Sequence, residues 1–165
     1  MTAPVTTYLL LGSNLGDRAA LLQVARTQLA ATVGEIVATS ALYETAAWGR
    51  EDQPAFLNQA LAIRTTLPAR QLLAQCLAAE RHAGRQRREH WGSRTLDVDI
   101  LLFGDVIIDE PRLTVPHQRL AERRFALVPR AEIAGPLVHP QLGATISELL
   151  ACCPDPLPVQ PWPGK

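Results

Sequence analysis

The sequence has little of what marks membrane, disulfide-stabilised or nucleic-acid-binding proteins. No stretch approaches the roughly 18 apolar residues that a membrane-spanning helix needs. Its three cysteines, Cys76, Cys152 and Cys153, lack metal-type spacing, and an odd number makes a poor disulfide framework. The 16 Lys and Arg residues balance 16 Asp and Glu residues, so no global field attracts nucleic acid or anionic lipid. We therefore expect no nucleic-acid or membrane partner.

The beginning of the chain also lacks the pattern of a secretory signal, which needs a basic region followed by a long apolar stretch. Together with the unpaired cysteines, this predicts a cytoplasmic protein. With 165 residues and 47% hydrophobic content, the chain is long enough to bury a core. We predict a single domain over 1–165, with its core at 7–150 and an irregular proline-rich tail at 154–165.

The predicted elements follow the order β-α-β-β-α-β. Buried or alternating apolar residues predict strands over 7–11, 36–45, 56–66 and 97–103. Helical periodicity predicts helices over 18–31, after an Asp17 cap, and over 68–83, from Pro68 to the stop at Gly84. Short helical segments are predicted near 118–127 and 145–151. This order is typical of the α+β ferredoxin-like sandwich, an antiparallel sheet with two helices on one face, here with a C-terminal helical extension.

Two aspartates stand two residues apart in WGSRTLDVDILLFG, residues 91–104. In a strand, residues i and i+2 face the same side, so Asp97 and Asp99 face one way and Val98 the other. Like charges that close repel each other, which suggests a cation between them. Mg²⁺ commonly uses one or two carboxylates together with substrate phosphates. The pair therefore favours a magnesium site, although one aspartate could instead cap the strand while the other is solvated.

An arginine-rich loop, GRQRREHWGSR, precedes the two aspartates. Guanidinium groups suit phosphate oxygens because they donate two parallel hydrogen bonds. A solvated basic loop, or a nucleic-acid-binding segment with an aromatic residue, would have the same composition. Cations beside paired carboxylates favour a magnesium–nucleotide site over both alternatives.

Three further features are less specific. GSNLGD, residues 12–17, links a strand to a helix without either nucleotide-binding fingerprint, so we interpret it as a tight turn. Phe56 and Asn58 share a strand face, where a ring and an amide can hold a flat heterocycle, although core packing explains them equally well. His117 follows a proline and either donates to a phosphate or caps a loop.

Taken in chain order, the motifs resemble those of the 6-hydroxymethyl-7,8-dihydropterin pyrophosphokinases of folate biosynthesis. The matching motifs are GSNLGD, YET-x-x-W-G, D-Q-P-x-F-L-N, W-G-x-R-T-L-D-x-D-I-L-L-F-G and R-L-T-V-P-H. The resemblance runs from residue 7 to residue 150. It implies a ferredoxin-like fold and an ATP-dependent enzyme that transfers pyrophosphate to the pterin hydroxymethyl group and releases AMP.

The resemblance also implies a role for each matching residue. Asp97 and Asp99 would be catalytic and hold two Mg²⁺ ions that clamp the triphosphate, while Arg85 and Arg94 would stabilise charge on the transferring group. The positions implied on the ATP side are Arg87, Trp91, Ile100, Thr114, His117, Arg123 and Glu80. The positions implied on the pterin side are Thr45, Trp48, Phe56, Asn58 and Phe125. ATP and the pterin are the expected partners, and we expect a monomer.

The residues themselves leave three other functions open. A ferredoxin-like RNA-binding module of the RRM kind would stack bases on its central strands and bind without magnesium. A sensor domain would bind pterin or nucleotide without releasing AMP. A metal-dependent phosphodiesterase would use the same aspartates for hydrolysis.

Overall fold

The computed structural model of the chain describes residues 3–46, 54–84 and 95–163. Its strands are β1 (Val5–Ser13), β2 (Gly34–Thr39), β3 (Tyr43–Thr45), β4 (Phe56–Thr65), β5 (Asp97–Phe103), β6 (Ile108–Glu110), β7 (Leu113–Val115) and β8 (Val159–Pro161). Its α-helices are α1 (Arg18–Thr32), α2 (Ala69–His82), α3 (Arg124–Ala134) and α4 (Ile146–Ala151), and a 3₁₀ turn spans Leu120–Glu122.

Six strands form one sheet, and β6 and β7 form a separate hairpin. The sheet order is β5-β1-β4-β3-β8, and β2 pairs with β4 beside β3. β1 pairs antiparallel with both β4 and β5, and β2 and β3 pair antiparallel with successive parts of β4. With β2 and β3 counted as one interrupted strand, this is the ferredoxin-like arrangement. The predicted fold class is confirmed.

Helices α1 and α2 cover one face of the sheet. The Asp17 carboxylate caps α1 by accepting the Ala20 N–H at 3.2 Å, as predicted. Alternate strand residues face opposite sides, so Leu9 and Leu11 of β1 meet Val98 of β5 in this core. In the described part of the chain, no helix is both long enough and apolar enough to cross a membrane. The apolar layer between the sheet and helices α1 and α2, which includes Leu9, Leu11 and Val98, is called the helix-side core below.

Helices α3 and α4 cover the opposite face. Tyr8 and Leu10 of β1 pack there with Leu101 of β5, Leu127 of α3 and Ile146 of α4. The C-terminal extension therefore adds a third layer, and the sheet lies between two layers of helices.

Two predicted elements have different boundaries in the structure. The strand predicted over 36–45 is interrupted at Ser40, whose Oγ accepts the Ala60 N–H in place of a strand carbonyl. The helix predicted near 118–127 is a 3₁₀ turn followed by α3, which continues to Ala134. The hairpin of β6 and β7 was not predicted, because its strands have only three residues each.

The tail predicted as irregular over 154–165 contains a strand. β8 pairs antiparallel with β3, with Tyr43 opposite Pro161 and Thr45 opposite Val159. Proline is tolerated in this position because β8 is the outermost strand of the sheet. Composition alone missed the strand because its partner, β3, lies more than a hundred residues away in sequence.

Candidate active site

A cavity of about 90 Å³ lies where β4 and β5 begin, beside the start of α3. Its volume is several times the roughly 10–15 Å³ that one water molecule needs. The cavity is lined by residues from β1, β3, β4, β5 and the start of α3: Leu10, Gly12, Thr45, Ala46, Phe56, Asn58, Asp97, Asp99, Arg123 and Phe125. Seven of these ten residues are ones that the sequence placed in the site.

The two aspartates form one wall of the cavity. Pairing between β1 and β5 places Asp97 opposite Gly12 and Asp99 opposite Leu10, on the face away from the helix-side core. Val98 between them is only 6% exposed and packs into that core. The two carboxylates therefore share a face, as the strand period of two requires.

Glu80 fixes the strand that carries the aspartates. Its side chain is buried, and Oε2 accepts the Val98 N–H at 2.9 Å. Burial, together with the charges of Glu80 and Asp99, raises the pKa of Cys76 to about 12. Cys76 is therefore a protonated thiol and a poor nucleophile. Glu80 lies behind β5 and does not line the cavity.

A buried amide forms the floor of the cavity beside β1. Asn58 is 2% exposed, and its Nδ2 donates to Thr45 Oγ1 at 3.2 Å. Gly12 faces Asn58 across the β1–β4 pairing, and a Cβ at Gly12 would lie 2.8 Å from Asn58 Oδ1. The GSNLGD motif alone predicts only a place in a turn for Gly12. A glycine that ends a buried strand could have indicated this close approach.

Two phenylalanines face the same cavity from different layers. Phe56 begins β4, Phe125 lies in the first turn of α3, and both are half-buried. The Arg123 Cζ lies 5.6 Å from the centroid of the Phe125 ring, within cation–π range. The cavity thus combines flat apolar surfaces, a cation and the buried amide.

His117 lies after β7, in the electrostatic field of the site. Its Nδ1 accepts the Arg119 backbone N–H at 3.2 Å, and the backbone N–H of His117 donates to Leu101 O at 3.0 Å. Burial, then the positive charge of Arg123, lowers the pKa of His117 to about 4, against the opposing influence of Asp97. The imidazole is therefore neutral near pH 7, and its proton is on Nε2 because Nδ1 accepts.

Other predicted residues lie away from the cavity or outside the described ranges. Ile100 is 6% exposed in the helix-side core, and Thr114 is exposed on β7. Five predicted residues fall outside the described residues: Trp48, Arg85, Arg87, Trp91 and Arg94.

The donor set suits a hard divalent cation that shares its coordination with a substrate. Among the described residues, no group of three or more His, Cys, Asp and Glu side chains could hold a metal. Asp97 and Asp99 thus offer two carboxylates without a third protein ligand of these types from the same ranges. Mg²⁺ is commonly bound by one or two carboxylates, with water and phosphate oxygens completing the octahedron. The residues present fit such an ion.

Comparisons with known proteins identify the family of the chain. A sequence model of the 7,8-dihydro-6-hydroxymethylpterin-pyrophosphokinase family matches residues 8–135. The 2-amino-4-hydroxy-6-hydroxymethyldihydropteridine pyrophosphokinase of Methylorubrum extorquens is 48% identical over 145 residues, covering 87% of this chain and 90% of the relative. The enzyme of the same name from Pseudomonas aeruginosa is 43% identical over 150 residues, covering 89% and 91%.

Solved structures support the fold. The wild-type HPPK-DHPS protein of Plasmodium falciparum superposes with a TM-score of 0.71 over 92% of this chain, at 16% identity. The chain spans only 45% of that larger protein, so the likeness concerns the shared fold. The sequence matches carry the assignment: this chain belongs to the 7,8-dihydro-6-hydroxymethylpterin-pyrophosphokinase family.

Proposed function

We propose that the chain is an ATP-dependent pyrophosphokinase that transfers pyrophosphate from ATP to 6-hydroxymethyl-7,8-dihydropterin in folate biosynthesis. One observation carries the proposal: a single cavity joins paired carboxylates to two phenylalanines and a buried amide. The carboxylates suit a metal–triphosphate, whereas the rings and the amide suit a flat, polar-edged heterocycle. The two reactants of the transfer reaction therefore meet in one place.

The pterin is held between Phe56 and Phe125. A planar ring gains stacking and apolar contact from both sides, which fixes its plane in the cavity. Asn58 then presents its amide to the ring edge, in an orientation set by the hydrogen bond to Thr45 and by the room that Gly12 leaves. This arrangement directs the hydroxymethyl arm towards Asp97 and Asp99.

Asp97 and Asp99 would hold two Mg²⁺ ions together with the triphosphate. Bound Mg²⁺ neutralises charge on the phosphates and polarises their oxygens. Arg123 and the Nε2–H of His117 add donors near the same phosphates, and a neutral His117 can donate without adding charge. By family resemblance, Arg85 and Arg94 provide further cations, and Arg87 and Trp91 bind the nucleotide.

The reaction forms one phosphorus–oxygen bond and breaks another. The hydroxymethyl oxygen attacks the β-phosphorus of ATP, the bond from that phosphorus to the α,β-bridging oxygen breaks, and AMP leaves with the oxygen. The hydroxyl proton passes to solvent. Such a transfer depends on alignment and charge neutralisation more than on covalent catalysis. The cavity supplies the alignment because most of its residues lie on paired strands or at the start of α3.

The RNA-binding alternative does not fit the architecture. An RRM-like module binds RNA on an open sheet face, whereas α3 and α4 cover the face of this sheet that Tyr8 and Leu10 occupy. The paired carboxylates at its open end would also repel a phosphate backbone in the absence of metal. The cytoplasmic location, the monomeric state and the single domain stay predictions.

The test is product analysis by phosphorus NMR. Purified protein with MgATP should produce AMP and the pterin pyrophosphate in equal amounts, and only when 6-hydroxymethyl-7,8-dihydropterin is present. Phosphate or ADP without AMP would contradict the proposal and favour hydrolysis. Binding of the pterin without AMP would instead identify a sensor.

A further inference from the structure

Residues 153–162, near the end of the described chain, contact both walls of the cavity; they are called the C-terminal segment below. Strand β8 in this segment pairs with β3, so that β3 is paired on both edges. The Trp162 N–H donates to Leu42 O at 2.9 Å, and the Trp162 side chain packs against the helix-side core. Because β3 has only three residues, pairing on one edge alone would hold it weakly.

At the first wall, Trp162 supports an arginine that joins two strand ends. The Arg18 Cζ lies 5.9 Å from the centroid of the Trp162 ring. The same guanidinium donates to Glu44 Oε2 at 2.7 Å and to Ala55 O at 3.0 Å. Glu44 directly precedes Thr45, and Ala55 directly precedes Phe56. Arg18 therefore ties together the chain on either side of residues 46–54, next to two cavity residues.

At the second wall, the other end of the C-terminal segment holds the start of α3. Asp155 is 5% exposed, and its Oδ2 accepts the Arg124 N–H at 3.1 Å. The Arg124 side chain returns two bonds, from Nε to Asp155 O at 3.1 Å and from Nη2 to Cys153 O at 3.3 Å. Arg124 lies between Arg123 and Phe125, both of which line the cavity.

We propose that the C-terminal segment is a clamp that sets the spacing of the pterin-binding walls, with Trp162, Arg18 and Asp155 as positioning residues. One wall carries Thr45 and Phe56, and the other carries Phe125. A flat ligand loses contact with one ring when such walls move apart, and small misplacements have large effects. The inference rests on the proposed function, because it takes the pterin as the ligand between these rings.

The geometry also predicts selectivity between the two substrates. The segment binds β3 at one edge of the sheet, whereas β5, which carries the aspartates, forms the opposite edge. Loosening the clamp at Trp162 should therefore weaken pterin binding more than binding of the metal–nucleotide.

The test compares Trp162→Ala, Trp162→Phe and Asp155→Asn with the unaltered protein. We expect Trp162→Ala to raise the KM for the pterin by roughly threefold to tenfold, the range expected for loss of a cation–π contact and its packing. The KM for ATP should stay within about twofold, and Trp162→Phe should restore most of the pterin affinity because its ring still faces Arg18. Asp155→Asn should also raise the pterin KM.

The chain offers a matched control for Arg18. Arg18→Ala and Arg70→Ala each remove an arginine that bonds a glutamate, but Arg70 pairs with Glu110 at 3.0 Å, away from the cavity. Only Arg18→Ala should raise the pterin KM. Thermal unfolding midpoints of all variants show whether a change in KM simply follows lost stability.

The dissociation constant of 6-hydroxymethylpterin, measured by equilibrium dialysis with magnesium and a non-hydrolysable ATP analogue, separates this inference from the proposed function. A Trp162→Ala protein that binds the pterin as tightly as the unaltered protein would overturn the clamp. So would an equal weakening of pterin and nucleotide. Failure of the unaltered protein to release AMP would contradict the proposed reaction, while the dialysis would still test the clamp.

Discussion

The two faces of strand β5 lie in different surroundings. Val98 faces the helix-side core, where it is 6% exposed among apolar side chains. Asp97 and Asp99, one residue to either side, face the cavity with Asn58 and Gly12 nearby. One strand therefore contributes stability through one face and chemistry through the other. The stability of the fold and the chemistry of the site should therefore be separable by changing neighbouring residues of β5.

Substitution of either aspartate on the cavity face of β5 should reduce activity most. Asp97→Asn or Asp99→Asn keeps the side-chain volume but removes a charge that the metal needs. We expect the rate of AMP release to fall at least about 100-fold, since metal stabilisation of a phosphoryl transition state is worth several kcal/mol. The unfolding midpoint in urea should not fall. A variant with normal activity would contradict the role of that carboxylate.

A substitution on the face of β5 that packs into the helix-side core should instead lower stability and leave activity nearly unchanged. Val98→Ala removes two methyl groups from a well-packed layer and should lower the free energy of unfolding by about 1–3 kcal/mol. Because the aspartates keep their backbone positions through Glu80, kcat and both KM values should change less than about twofold at temperatures where the protein stays folded. Urea denaturation and steady-state kinetics on one preparation measure both quantities. A large kinetic loss would mean that the faces are coupled.

A smaller effect is expected where the cavity approaches the backbone. Gly12→Ala would place a Cβ 2.8 Å from Asn58 Oδ1, so the buried amide must move. We expect the pterin KM to rise about tenfold, because overpacking a tight site costs on the order of 1–3 kcal/mol, with little change in the KM for ATP. An unchanged pterin KM would show that Asn58 does not bind the ring edge in the orientation described.

The smallest effect concerns His117 and pH. Its folded-state pKa, about 4, lies below the ordinary value of 6.5, so between these values the unfolded chain binds more protons. Stability is therefore lost as the pH falls from about 6.5 through 4. His117→Gln should make this loss less steep, which urea denaturation at about pH 7.5 and about pH 5 would measure. His139, whose pKa burial also lowers, contributes equally in both proteins. An unchanged slope would contradict the burial of His117.

The sequence predicted the parts of the site that depend on local periodicity. The period of two along β5 is enough to place Asp97 and Asp99 on one face, because that strand is regular where they lie. The same rule places Phe56 and Asn58 together at the start of β4. Neither of these two predictions needs knowledge of distant contacts, which is why both agree with the structure.

The parts that sequence could not supply depend on contacts between distant elements. Helical spacing does not show that Glu80 meets the backbone of Val98 behind the site. Composition cannot show that a proline-rich segment gains a strand partner in β3 or that Asp155 caps the start of α3. Gly12 gains its meaning only from Asn58 across the sheet. The motif resemblance identified the enzyme family, but it does not show how the walls of the cavity are held in place.

If Asp97 and Asp99 together hold the metal that accompanies ATP, losing either carboxylate should weaken metal binding. Electron paramagnetic resonance of Mn²⁺, used in place of Mg²⁺ with a non-hydrolysable ATP analogue, counts the bound ions directly. We expect two nucleotide-dependent ions in the unaltered protein and a loss of tight binding in Asp97→Asn and in Asp99→Asn. Val98→Ala should bind both ions as tightly as the unaltered protein. Undiminished Mn²⁺ binding in both aspartate variants would contradict the claim.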